Sequence, residues 1–164
     1  CSGQENFPDG EIFTSPVEDG IYGTITFSYP AIINGHEFEE VRLTVENGRI
    51  THAACKNPED QERLLSYIDT DEGSRYFGEV AIGTNYGIQK HTKNILFDEK
   101  IGGSIHMAIG EGFQEAGGKN TSAIHWDMIN DMTQMGKIYA DGELFYENGQ
   151  FLTEVLPGEE RTMG

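Results

Sequence analysis

A β-rich α+β fold, its mixed sheet curled or barrel-like and carrying one or two helices, is what this 164-residue sequence predicts. Three observations lead there. Short apolar runs alternate with polar residues at period two, Asn-Gly and Asp-Gly pairs separate several of them, and one stretch sets its apolar residues at helical spacing. The length suits a single domain over residues 1–164, long enough to bury a core.

Residues up to Gly20 read as irregular, punctuated by Pro8, Asp9-Gly10 and Pro16. Ile21, Gly23, Ile25 and Phe27 then alternate with Tyr22, Thr24, Thr26 and Ser28, the pattern of a half-buried strand. Val41, Leu43 and Val45 repeat it, and Asn47-Gly48 supplies a type I′ turn into Arg49 to Ala53. A helix follows: Asn57 is the expected N-cap, Pro58 suits the first helical position, and Glu59 and Asp60 complement the dipole. Gln61, Leu64, Leu65 and Ile68 share one face of it. Val80 and Ile82 mark another short strand, whereas Gly102 to Gly118 is too glycine-rich to read as helix or strand throughout. Ile124 to Ile129 reads as a strand, and Lys137 to Phe151 as a meander turning at Asp141-Gly142 and Asn148-Gly149.

Hydrophobic residues at 37% and aromatics at 10% argue against disorder. Against 11 Lys and Arg stand 28 Asp and Glu, a net charge of −17. Such a surface repels phosphate, so no nucleic-acid partner is expected. It attracts cations, metal ions and the amino group of a peptide among them, although acidity by itself need do no more than keep a protein soluble. No run approaches the roughly 18 apolar residues that cross a bilayer, and no signal-peptide pattern is visible, so no membrane partner is expected. Cys1 and Cys55 are too few for a disulfide framework or a thiolate zinc site and suit a reducing, cytoplasmic setting. Cys1 stands where a lipid-anchored terminus would begin, but without an upstream signal a domain boundary is the better reading.

His125-Trp126-Asp127 could chelate: on a strand, residues i and i+2 share a face, so His125 and Asp127 would grip one ion while Trp126 packs behind. Alone the pattern carries little, because five histidines in so acidic a chain yield roughly one such pair by chance. Other features add to it. Glu11 follows Asn6-Phe7-Pro8-Asp9-Gly10, Glu79 heads into the apolar Val80-Ala81, and Asp98-Glu99-Lys100 precedes His106, itself followed by Met107, Ala108 and Ile109. A histidine in such a run is more often a satisfied core residue than a ligand, yet buried carboxylates are costly unless paired or bound to metal.

Four blocks, NFPDGEIFTSP (6–16), GEVAIGTN (78–85), ILFDEKIGGSIHMAIG (95–110) and NTSAIHWDMINDM (120–132), resemble in content and order the signatures of the metal-dependent aminopeptidases of the aminopeptidase T and S type. With weaker similarity between them, the resemblance spans nearly the whole chain and matches the metal-binding C-terminal half of these longer enzymes. It implies metal ligation by Glu11, Glu79, His106, His125 and Asp127. Glu99 falls on a further acidic position of the family site, across a two-residue difference in the glycine segment, and is assigned as the general base. The implied cofactor is a pair of divalent ions, and an oxygen and imidazole donor set without thiolate suits zinc, cobalt or manganese. The implied substrate is a peptide, cleaved after its first residue, with a homodimer left open. Where the family places a tyrosine seven positions after the ligand histidine, this chain has Phe113, and Glu111 is the neighbour that could compensate.

Two rivals follow from the same residues. His106, His125 and Asp127 could form the two-histidine, one-carboxylate site of mononuclear iron ring-opening dioxygenases acting on dihydroxypyridines, which look similar to this family. Glu11 and Glu79, which a second ion would need, favour the hydrolase. The other rival is a non-catalytic module binding metal or a peptide terminus. A phosphate loop is disfavoured, because the glycine segment lacks the G-x-x-x-x-G-K-[ST] spacing and the net charge of −17 argues against it.

Overall fold

The computed structural model describes residues 8–88 and 90–152. Twelve strands are described: β1 Glu11–Thr14, β2 Gly23–Thr26, β3 Ala31–Ile33, β4 His36–Phe38, β5 Arg42–Glu46, β6 Arg49–Ala54, β7 Phe77–Gly83, β8 Ser104–Gly110, β9 His125–Asp131, β10 Lys137–Ala140, β11 Glu143–Glu147 and β12 Gln150–Phe151. They form an antiparallel four-stranded sheet β1-β7-β8-β9, the sheets β2-β5-β6 and β10-β11-β12, and the ribbon β3-β4. None of these described sheets closes, so the predicted sheet-rich α+β class holds and the barrel alternative gives way to open sheets. No described helix is long and apolar enough to cross a membrane.

The hairpins follow their turn residues. Asn47 and Gly48, Asp141 and Gly142, and Asn148 and Gly149 all take positive φ, as type I′ turns require. The helix α1, Gln61–Ile68, buries Leu64 and Ile68 one turn apart. Gln61 ties its start to the sheet, donating from Nε2 to the Ala53 carbonyl at 2.8 Å. Asn57 does not act as the expected cap: a 3-10 turn, Pro58–Asp60, precedes the helix, and the Asn57 side chain makes no cap hydrogen bond. A second helix, α2, is the single turn Ile95–Asp98.

The expectation of an irregular start is corrected, and the glycine-rich segment proves part strand. The stretch before Gly20 contains β1, whose alternation is too short to see between two prolines and which is held by pairing with a distant strand, Glu11 opposite Gly83 through Thr14 opposite Val80. The glycine-rich segment contains β8, an inner strand of the main sheet. Its glycines flank the strand or end it, Gly103 and Gly110 both at positive φ. Cys1 and Asn6 lie outside the described residues.

The core fills one side of the main sheet. Phe77, Ile109, Trp126 and Met128 from its strands meet Leu43, Val45, Ile50 and Ala53 from β5 and β6, with Leu64 and Ile68 from α1. Trp126 is buried there, as its place between His125 and Asp127 predicts. The other face of the same sheet is where the acidic and histidine side chains gather.

Candidate metal centre

Strand register alone brings five residues together. Glu79 lies opposite Ala108, and Ala108 opposite Asp127; Ala81 lies opposite His106, and Glu11 opposite Gly83. Directly opposed residues share a face, and steps of two along a strand keep it. Glu11, Glu79, His106, His125 and Asp127 therefore point to one side, away from Trp126 and Met128.

Glu79 reaches that side through a bulge. The register skips from Phe77 opposite Ile109 to Glu79 opposite Ala108, so Phe77 enters the core while Glu79, two positions on, faces the other way. Gly78 makes this feasible, because a Cβ there would lie 2.2 Å from the Glu111 carbonyl oxygen.

Glu99 and Lys100 arrive from α2. Asn94 caps that turn by accepting from the Leu96 N–H at 3.2 Å. Buried Asp98 accepts from the Thr92 backbone and hydroxyl at 2.7 and 2.9 Å and lies 3.1 Å from His91 Nε2. Leu96 and Phe97 are exposed, although apolar, and Asp98, Glu99 and Lys100 are buried instead. A single turn can bury only one side, and the Asp98 anchor selects the polar one. Asn85, to which the sequence reading gave no role, joins the parts. Its N–H donates to the Lys100 carbonyl at 2.9 Å and its side chain to the Asp9 carbonyl at 3.0 Å, fixing α2 relative to the start of β1.

The geometry is close and mostly buried. His106 Nε2 lies 3.4 Å from Glu11 Oε2 and 3.6 Å from Glu79 Oε1. His125 Nε2 lies 3.2 Å from Glu79 Oε2 and 3.5 Å from Asp127 Oδ2. His125, its side chain 27% exposed, forms the rim. The Glu111 main chain, not its carboxylate, serves His125: the carbonyl accepts from Nδ1–H at 2.8 Å, which turns Nε2 toward the carboxylates in the manner usual for metal-binding histidines. Lys100 is fully buried, its ammonium 3.1 Å from Glu11 Oε1 and hydrogen-bonded to Glu99 Oε1. It was missed in the sequence, where Lys100 reads as one more polar residue after Asp98-Glu99.

Charges shift accordingly. Burial pushes the Glu79 carboxyl up, but the two histidines outweigh it and hold it at about 2. Burial lowers His125, and Asp127, Glu79 and the Glu111 carbonyl more than reverse this, raising it to about 11. His106 is likewise raised against burial by Glu79, Asp127 and Glu11. Glu99 is raised, chiefly by burial, with Lys100 opposing and Asp127 and Glu11 adding to the rise.

Three sets of donors bring their ligand atoms within 4.8 Å of one another: Glu11, Glu79 and His106; Glu79, His125 and Asp127; and Glu99, His106 and Asp127. All six residues singled out in the sequence thus converge. Among the described residues, buried Asp127 Oδ1 meets no hydrogen-bond partner, a cost that a cation could relieve. Oxygen and imidazole donors fit a divalent ion. Among the described residues, none of the three sets contains both His106 and His125, whereas Glu79 is common to a set with each of them. A separate cavity of about 290 Å³, lined by residues that include Tyr29, Tyr86, Asp131 and Thr133, holds none of these groups.

Phe113 lies against the site. Its ring meets His125 edge-on at 5.3 Å between centroids and Phe13 at 5.2 Å, and its N–H donates to Ser15 Oγ at 3.0 Å. Phe113→Tyr adds one oxygen to a ring that is part exposed, so folding is expected to be unaffected. The variant is expected to bind divalent metal more tightly; unchanged affinity would show that a hydroxyl at 113 does not reach the cluster.

Residues 2–151 match the family described as thermophilic metalloprotease (M29). Aminopeptidase AmpS of Bacillus subtilis is 36% identical over 168 residues, covering 89% of this chain and 40% of that protein. Aminopeptidase T of Thermus thermophilus is 28% identical over 153 residues, covering 84% and 37%. The solved structure of wild-type AmpT from Thermus thermophilus superposes with a TM-score of 0.77 at 26% identity over 90% of this chain and 41% of that one. A 2,5-dihydroxypyridine dioxygenase from Pseudomonas putida gives a TM-score of 0.65 at 23% identity, over 91% and 44%, a likeness of fold alone. The chain thus spans about two fifths of the length of the curated relatives named here.

Proposed function

Because the chain belongs to the thermophilic metalloprotease (M29) family, we propose that it is the metal-binding catalytic unit of an aminopeptidase, removing the first residue of a peptide by hydrolysis. The observation that carries this reading is Glu79, whose two oxygens face His106 and His125 and so link two donor sets into one site. That arrangement suits two neighbouring divalent ions, zinc, cobalt or manganese, sharing a carboxylate. Such ions supply Lewis acidity toward a carbonyl oxygen and lower the pKa of water.

The chain's own residues supply the rest. Glu99, raised by burial and standing within the same cluster, is suited to take a proton from the attacking water and return it to the leaving amine. The surplus of carboxylates at the site and over the surface favours a substrate with a cationic α-amino terminus. The hydrolase reading is favoured over the dioxygenase one because Glu11 and Glu79 add carboxylates to the cluster beyond His106, His125 and Asp127.

The test is metal content together with hydrolysis of an aminoacyl reporter by protein purified without chelator. Activity is expected to vanish with chelator and return with zinc or cobalt. Ion uptake relieves repulsion among close carboxylates, so the melting temperature is expected to rise by roughly 5–10 °C at metal about 100-fold above Kd. A melt that does not move across a wide metal titration would remove the site assignment altogether.

A further inference from the structure

Two of the three donor sets contain a carboxylate that Lys100 already holds, and one does not. Glu11 belongs to the set with Glu79 and His106, and Glu99 to the set with His106 and Asp127. Both accept from the Lys100 ammonium. Neither belongs to the set Glu79, His125 and Asp127, which also includes the rim residue His125.

Lys100 cannot easily swing aside. Its side chain is fully buried, its carbonyl accepts from Asn85, and its N–H donates to the Phe97 carbonyl at 3.3 Å. Moving the ammonium out would break its bonds to Glu11 and Glu99 and carry its charge through buried surroundings. It also changes the charge balance: Glu11, Glu79, Glu99 and Asp127 bring four negative charges, which Lys100 and one divalent ion together neutralise all but one of.

We infer that Lys100 orders the loading of the site. The first divalent ion takes Glu79, His125 and Asp127, and the ammonium, competing for Glu11 and Glu99, makes a second ion bind much more weakly. This rests on the metalloprotease reading above and extends it by giving the two positions unequal affinity. A fixed unit charge a few ångströms from a divalent ion should separate the two affinities by about tenfold or more.

Cobalt(II) is the probe, followed by visible absorption and by elemental analysis after gel filtration. The wild-type chain is expected to show one tight equivalent and a second at least about tenfold weaker. In Lys100→Gln the second ion should bind about tenfold or more tighter, with a smaller change in the first, whereas Lys100→Arg should keep the wild-type order. Two equal steps in the wild type, or a Lys100→Gln variant with the wild-type separation, would overturn the role of Lys100 while leaving the metal reading intact. A chain that takes up no cobalt at all overturns both. Should Lys100→Gln fail to fold, the wild-type isotherm and Lys100→Arg still decide the matter, because equal steps in either refute ordered loading.

Discussion

Glu79→Ala is expected to abolish metal-dependent hydrolysis and to cut metal content by at least one ion per chain. The side chain is buried and places one oxygen toward each histidine, at 3.6 Å from His106 and 3.2 Å from His125, so its loss removes a donor from two of the three sets at once. The rate should fall by more than the roughly 10–100-fold that loss of an outer partner of a metal ligand costs. Folding need not be lost, since the bulge that aims residue 79 is a backbone feature secured by Gly78. In the chelated protein the substitution leaves His106 beside Glu11 and His125 beside Asp127, so each histidine keeps one carboxylate neighbour. The pH dependence has a definite sign. Glu79 is depressed from 4.5 to about 2, so its contribution is present above pH 4.5 and is lost as the pH falls through about 2. Glu79→Ala should flatten that acid limb of the stability curve. A variant with wild-type metal content and rate would take Glu79 out of the site.

The parts of this site that repeat locally were legible in the sequence. His125 and Asp127 flank Trp126 on a strand, and the period of two correctly sends the indole to the core and the other two to the opposite face. The Asn-Gly and Asp-Gly turns were legible for the same reason, since left-handed backbone is a property of the residues themselves. What depends on distant pairing was not. β1 is four residues long and owes its existence to β7, some seventy residues on. The bulge at Gly78 inverts the facing of Glu79 relative to Phe77, and nothing in Phe77-Gly78-Glu79 announces it beyond the glycine. The apolar run Ile95-Leu96-Phe97 does not reveal how α2 faces, because the side of a one-turn helix that goes inward is set by the hydrogen bonds of Asp98 to Thr92, contacts that local composition does not display. Lys100 was hidden by the same step: once Asp98 turns inward, the two residues after it follow.

Glu99→Gln tests the chemistry separately from the metal. Glutamine keeps the shape of the side chain and can still accept from the Lys100 ammonium, but it cannot take up a proton. Burial raises the Glu99 carboxyl, and Asp127 and Glu11 push the same way against the pull of Lys100, which moves it toward the range a general base needs near neutrality. Hydrolysis of an aminoacyl reporter is therefore expected to fall by roughly 10²–10⁴-fold, the usual worth of such a group. Metal content should not fall, because Glu79, His125 and Asp127 are untouched and Glu11 and His106 keep Glu79 as their third donor. The pH–rate profile supplies a second reading: a limb carried by Glu99 should disappear in the variant, whereas a purely structural change would lower the whole profile without altering its shape. Since Glu99 also shares a donor set with His106 and Asp127, loss of an ion in Glu99→Gln would recast it as a ligand. Full activity would move the proton transfer to another carboxylate of the cluster.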